Sequence, residues 1–469
     1  MIAKKQVENI MILFVCFAVL SSAFMMTASA VETIPGTVEE TTLNAVSMAP
    51  MAAMAAPTST SLSPMVTETG KISLSVDGLG TDGTGIIQVE KPDGATVKSA
   101  YMMGASLWGA GPIADGQVKI DGQDVNWNFS VNKYTYNHWA DVTPLVKTKI
   151  DNAPTGRIDF TITELKSDKI DGTVLVVIFD DPNQVDDNTI VLLFGAQSTG
   201  GDTFKLLLAE PIDTITPEMS FDMGLGISFS AQPTGQYSIV DVNGKRLTTA
   251  AGGQDDGYLR DGELLTVGGL DDSNDNPADP YALATDTRSD DELYNILPFV
   301  EDGDSTITVY TENPSDDDNI FFAYFNLKST VAVVGEGIVL SPASATNPVG
   351  TSHTVTATVQ DDDGSPVESK EVTFEVVTGP HAEMSTSVYT DSNGEATFTY
   401  LGTDEGTDSI VASFVDSQQE VVSSNKVVKI WETEVVQEPS EEIPEFPTVA
   451  LPIAAILGLA FIINRRKEE

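Results

Sequence analysis

Cysteine is almost missing: 469 residues contain only Cys16, inside the first apolar run. No intrachain disulfide can form, so each domain must be held by its own core. Histidine is nearly as scarce. His138, His353 and His381 lie far apart, and none pairs with the cysteine or another histidine at ligand spacing, which argues against zinc. Positive charge is short as well. Against 70 Asp and Glu stand 24 Lys and Arg, for a formal net charge of −46. Such a surface repels phosphate backbones, which argues against a nucleic-acid partner. No G-x-S-x-G elbow occurs. The G-x-G-x-x-G at Gly78 to Gly83 runs into "TGIIQVEKPDG", a strand and turn rather than the helix that a pyrophosphate needs. Carboxylates are too plentiful for one pair to stand out as acid and base. The expectation is a protein without enzymatic activity.

What is present reads as an exported β protein. Hydrophobic residues make up 41% of the chain and its carboxylates are dispersed, so it is globular and not an acidic disordered tail. Lys4 and Lys5, the run Ile10 to Leu20 and the small-residue triplet Ala28-Ser29-Ala30 form a signal peptide over residues 1–30. Its apolar run is too short to span a bilayer. Residues 31–67, rich in Ala, Met, Thr, Ser and Pro without a period, read as a disordered linker.

From residue 68 short β-like runs alternate with Gly, Asn and Asp turns, the pattern of all-β sandwiches. Three landmarks recur in order. The first is a hairpin, "VKIDGQDV" and again "VDVNGKRL", with Asp-Gly or Asn-Gly at its turn. The second is a short helix. One is capped by Thr143 with Pro144 in its first turn and Leu145 and Val146 facing inward. The other opens on Ser289-Asp290-Asp291-Glu292 ahead of Leu293 and Ile296. The third is strand, Pro loop and strand, "LVVIFDDPNQVDDNTIVLLF" and "ITVYTENPSDDDNIFFAYF". They predict two tandem jelly-roll-like β-sandwich domains, 68–213 and 214–334.

Residues 335–432 alternate differently. Val355, Val372, Phe374, Phe398, Ile410 and Phe414 form one inward set over about seven strands, an Ig-like sandwich expected to fold alone. An acidic linker follows at 433–445, then an apolar transmembrane or sorting helix at 446–463. A basic cytoplasmic tail, 464–469, carries Arg465, Arg466 and Lys467. Eighteen apolar residues are near the lower limit for a span, and the basic end orients it with the rest of the chain outside.

"VGTSHTVTATVQDDDGSPV", "VTFEVVTGP", "TDSNGEATFTY" and "GTDSIVASF" resemble group-1 bacterial Ig-like domains of the invasin and intimin type. The resemblance implies a stalk unit of a surface protein and brings no catalytic residues. Through "WADVTPLVK" and "DDNIFFAYF", residues 68–334 more loosely resemble uncharacterised β domains of exported archaeal and bacterial proteins. Pro444-Glu445-Phe446, the apolar run and the basic end are similar to the PEF-CTERM sorting signal of archaea. That similarity implies an archaeosortase-like processing enzyme, a cut near the triplet and attachment to membrane lipid. The alternative is a helix that stays as a single-pass anchor.

The densest acidic run is Asp271, Asp272, Asn274, Asp275 and Asn276, with Asp279 close by. Its start matches a calcium loop, but Pro277 replaces the turn glycine and no Glu closes it, so an EF-hand is excluded. An irregular calcium site and plain turn chemistry remain the two readings. Asn128-Phe129-Ser130 is the usable glycosylation sequon. The leading expectation is therefore an all-β, membrane-anchored archaeal surface protein with a structural or adhesive role toward other surface proteins. The alternative is a calcium-dependent glycan binder using Trp108, Trp127 or Trp139, and a secreted hydrolase comes third.

Overall fold

The computed structural model describes residues 61–433 and 450–466, leaving aside 82, 134, 199, 216–218, 229–236, 253–264, 283–291, 316–318, 329–330, 418 and 420. The signal peptide with Ala28 and Ala30, the linker to residue 60, the triplet Pro444, Glu445 and Phe446, and Lys467 lie outside the described residues.

Four antiparallel sheets make the body. The first outer sheet runs β3 (Thr84–Lys91), β9 (Gly156–Glu164), β5 (Val118–Ile120), β6 (Gln123–Asp124). The first inner sheet runs β2 (Ile72–Leu79), β10 (Ile170–Asp180), β4 (Thr96–Ser106), β8 (Tyr136–Asp141), β7 (Phe129–Asn132). The second inner sheet runs β1 (Ser63–Gly70), β11 (Asn188–Phe194), β19 (Asn319–Lys328), β13 (Ser220–Ser228), with β16 (Thr266–Val267) and β17 (Leu293–Asn295) both on β13. The second outer sheet runs β15 (Lys245–Ala251), β14 (Ser238–Val242), β18 (Thr306–Glu312), β12 (Asp202–Leu208), β20 (Ala332–Val334).

These sheets stack as four layers with three cores between them. On β10, Leu175, Val177 and Phe179 enter the first sandwich core, while Val174, Val176 and Ile178 enter the core between the inner sheets. On β11, Val191 and Leu193 face the second sandwich core, while Ile190, Leu192 and Phe194 face the central one. A strand covered on both sides reads as an unbroken apolar run because neither face meets water. The inner sheets come close: a Cβ on Gly78 would lie 2.2 Å from the Val267 side chain. Within this apolar interface sits one buried polar knot. Asn319 Nδ2 lies within hydrogen-bond distance of Asn137 Oδ1 at 2.9 Å, Thr135 Oγ1 at 2.9 Å and Ser228 Oγ at 2.7 Å.

The halves repeat with a shift of nine in strand number. Outer order β3-β9-β5-β6 recurs as β12-β18-β14-β15, and inner order β2-β10-β4-β8 as β11-β19-β13-β17. The hairpin turns match as well: Asp121 and Gly122 have φ of 49° and 78°, Asn243 and Gly244 49° and 73°, the double positive φ of a tight hairpin. The expected boundary at 213/214 is displaced. β11 and β12 are the first strands of the second repeat, so the repeats span about residues 72–180 and 188–328. The cause is the third landmark. It equates β10-loop-β11 with β18-loop-β19, whereas in the sheets β19 corresponds to β10 and β11 to β2. The linker is also shorter than expected, since β1 begins at Ser63 and Val66 is buried in the central core.

The first short helix, α1 (Thr143–Asn152), buries Val146 and Ile150. Thr143 does not cap it: its Oγ1 accepts from the Ala100 N–H, and Asp141 takes the Thr143 N–H at 2.9 Å instead. Among the described residues the second expected helix does not appear; Ser289, Asp290 and Asp291 lie outside them. Leu293 and Tyr294 lie on β17, followed by one 3-10 turn at Leu297–Phe299. Glu292 does not cap a helix. It is buried, and its carboxylate accepts from Gly252 N–H and the Thr266 hydroxyl.

The Ig-like domain packs β21 (Gly337–Ser341), β23 (Ser352–Gln360) and β26 (Glu395–Leu401) against a second sheet. That sheet runs β22 (Ser344–Pro348), β29 (Val427–Glu432), β27 (Gly406–Val415), β24 (Glu371–Thr378) and β25 (Ser385–Tyr389), with β28 (Val421–Ser423) on β27. The inward set Val355, Val372, Phe374, Phe398, Ile410 and Phe414 is buried in one core. Gln360 reaches back to the Gly335 carbonyl at 3.0 Å, and Glu210 of the body accepts from Ala343 N–H at 2.8 Å.

Candidate functional site

The acidic run lies across the seam between the two repeats. Leu270 N–H donates to Val76 O of β2 at 2.9 Å, which lays the loop along the edge of the first inner sheet. Asp271, at φ 75°, then meets Arg157 of β9 through two bonds of 2.6 and 2.5 Å. That hydrogen bonding, against a smaller burial effect, holds the Asp271 carboxyl below its ordinary pKa. The remaining members are spent locally. Asp272 accepts from Gly269 N–H, Asn274 donates to Asp222, Asn276 donates to Asn295 O, and Asp279 accepts from Tyr281 N–H. Asp275 sits in a turn closed by Ser273. Among the described residues, no three His, Cys, Asp or Glu side chains converge to hold a metal ion. Among the described residues the run makes turns, and through Asp271 and Arg157 it makes an ion pair to β9.

Near this ion pair lies Asp77 of β2. Its carboxylate accepts from Gln88 N–H at 2.5 Å and Gly78 N–H at 3.1 Å. Burial raises its pKa to about 6 despite those bonds, with Asp271 adding to the rise.

The three tryptophans do not form a platform. Trp139 is fully buried between the inner sheets, with its ring 5.0 Å from Tyr101 and 5.4 Å from Phe194. Trp127 packs on His138 at 5.2 Å, and Trp108 is 52% exposed. Asn128 is exposed just before β7, its Oδ1 accepting from Asp141 N–H at 2.7 Å.

Sequence reasoning missed a buried polar cluster at one end of the Ig-like domain. Asp408 on β27 is fully buried and accepts four bonds: His381 N–H at 3.0 Å, His381 Nδ1 at 2.7 Å, Tyr400 OH at 3.0 Å and Trp431 Nε1 at 2.8 Å. Burial pushes its pKa up, but these donors together hold it below the ordinary carboxylate value. Lys429 on β29 is also fully buried. Its Nζ lies 4.4 Å from the Trp431 ring centre and donates to Asn347 Oδ1 at 2.9 Å. A signal existed. Lys429 falls between Val427 and Trp431 on the inward phase of its strand, and Asp408 in phase with Ile410 and Ala412.

The C-terminal helix α2 (Ala450–Arg465) has 16 residues. From Ile453 onward its apolar side chains are exposed all round, the texture of a segment made for lipid. No helix among the described residues is long and apolar enough to cross a membrane. The described helix reaches about 24 Å at 1.5 Å per residue, short of the roughly 30 Å hydrocarbon core. The rest of the expected 446–463 span lies outside the described residues. Arg465 and Arg466 close the helix.

Residues 443–467 match the PEF-CTERM archaeal protein sorting domain, and residues 341–428 match the bacterial Ig-like domain, group 1. No curated protein matches the chain. Among solved structures, the D0-D1 domain of intimin is 13% identical with a TM-score of 0.17, over 52% of this chain and 90% of its own. A membrane-anchored protein from Corynebacterium diphtheriae is 10% identical with a TM-score of 0.19, over 73% and 61%. The two matched segments support an exported, surface-anchored protein with an Ig-like domain and a C-terminal segment similar to the archaeal sorting domain.

Proposed function

We propose that the four-layer body is a structural or adhesive head, presented outside the membrane by the Ig-like domain. The observation that carries this reading is the joining in one chain of a body with three continuous cores, a group-1 Ig-like domain and a sorting tail. Its side chains favour rigidity over chemistry: the acidic run is spent on turns and on the seam between repeats. The exposed face of such a body meets other surface proteins or glycans. The tail is a transient anchor, cut near Pro444-Glu445-Phe446, with the new C-terminus passed to lipid. Cells without the chain, and cells restored with it, can be compared for attachment and for survival of osmotic shock. Loss of either is expected, and no change in both would overturn the reading.

A further inference from the structure

The only fully buried lysine of the Ig-like domain's described residues faces a side-chain amide instead of a carboxylate. Lys429 Nζ donates to Asn347 Oδ1 at 2.9 Å and to Ile430 O at 3.1 Å. Asn347 stands on β22 and Lys429 on β29, neighbouring strands that pair in parallel, Ala345 opposite Lys429 and Asn347 opposite Trp431. The Asn347 Nδ2 points the other way and donates to Ser352 O at 3.2 Å. The amide oxygen is thus turned toward the amine and the amide nitrogen away from it.

We propose that Lys429 and Asn347 become joined by an intramolecular amide bond that staples β22 to β29. The Nζ–Cγ bond forms and the Cγ–Nδ2 bond breaks. Two protons of the Lys429 ammonium leave with Nδ2, so an ammonium and a carboxamide become a secondary amide and a free ammonium ion. No oxidant or cofactor enters the balance.

Three features favour the reaction. Burial lowers the Lys429 pKa, against the pull of Asp408, so the nucleophilic free amine is more accessible than on the surface. The pair is held in place before reaction: Lys429 Nζ lies 4.4 Å from the Trp431 ring centre, and Asp408 fixes the Trp431 indole through Nε1. Such positioning converts an improbable encounter into an intramolecular step. The product also replaces a buried charge with a neutral amide, relieving a desolvation cost. The usual loss of ammonia from asparagine, by attack of the next backbone nitrogen, is closed here because Pro348 has no N–H.

The placement suits a load-bearing domain. The chain enters from the body at β20 and β21 and leaves toward the sorting tail after β29. A bond from 347 to 429 carries tension past the intervening residues, so pulling on the anchor does not unravel the sandwich.

The test is peptide mapping of the full chain recovered from envelopes. Trypsin should yield a branched peptide joining 329–370 to a segment that begins at Val427 and is uncut at Lys429, lighter than the sum by one ammonia. Lys429→Arg and Asn347→Ala should abolish it. Recovery of the separate peptide 427–429 with a free lysine from most wild-type molecules would overturn the proposal.

Discussion

Asp77 is a carboxylate whose fold prefers it protonated. Burial raises its pKa from 3.8 to about 6, so the native state binds a proton more tightly than the unfolded chain. Its contribution therefore falls as pH rises from the ordinary carboxylate range to about 6, and is flat above that. The full shift corresponds to at most about 3 kcal/mol. In Asp77→Asn this part of the pH dependence should vanish, leaving a flatter melting temperature between pH 4 and 7 as read by circular dichroism, where about 6 marks the top of the slope. Asp408 has the opposite sign. Its depressed pKa stabilises the fold above the ordinary value and loses that stabilisation as pH falls through the native one. Asp408→Ala strands the His381, Tyr400 and Trp431 donors and should cost about 3–5 kcal/mol in denaturant unfolding. Asp408 could be read from its phase with Ile410 and Ala412, but Asp77 does not announce itself in sequence. Asp77 is one acid among 70 acidic residues, and only the fold shows that it is covered.

At the scale of elements, most Ig-like strands were legible because they have one wet face, and alternation on strands such as β26 and β27 then marks the core. The body strands were not. β10 and β11 bury both faces, so their runs carry no period and say nothing about which sheet each joins. The landmark built on them paired strands that are not equivalent, and the boundary moved with it. The hairpin turns were legible, since Asp-Gly and Asn-Gly are required by their positive φ. The acidic run is dense enough to suggest calcium, and its described partners include Arg157, Asp222 and nearby backbone groups. Millimolar calcium should raise the melting temperature no more than equal magnesium if the run serves turns, and a calcium-specific rise would favour the metal reading. Arg157→Ala removes an exposed ion pair and should lower the melting temperature only slightly, with the difference shrinking in high salt.

At the scale of the whole molecule, two repeats share a central core, so they should not unfold separately. Calorimetry should show the body melting in one transition and not two, and Leu192→Ala in the central core should lower that transition by about 2–5 kcal/mol of stability. The Ig-like domain and the sorting tail were readable from the sequence, because each has its own texture. How the body's layers stack was not, because that depends on contacts between strands far apart in the chain. The central claim is that this architecture is delivered to the outer face of the membrane and attached there by its processed end. Mass spectrometry of the mature C-terminus from envelope fractions tests it most directly. The account predicts chains ending close to Pro444-Glu445-Phe446 and carrying a lipid-derived group. An intact C-terminal peptide containing Asn464 in most molecules would contradict it.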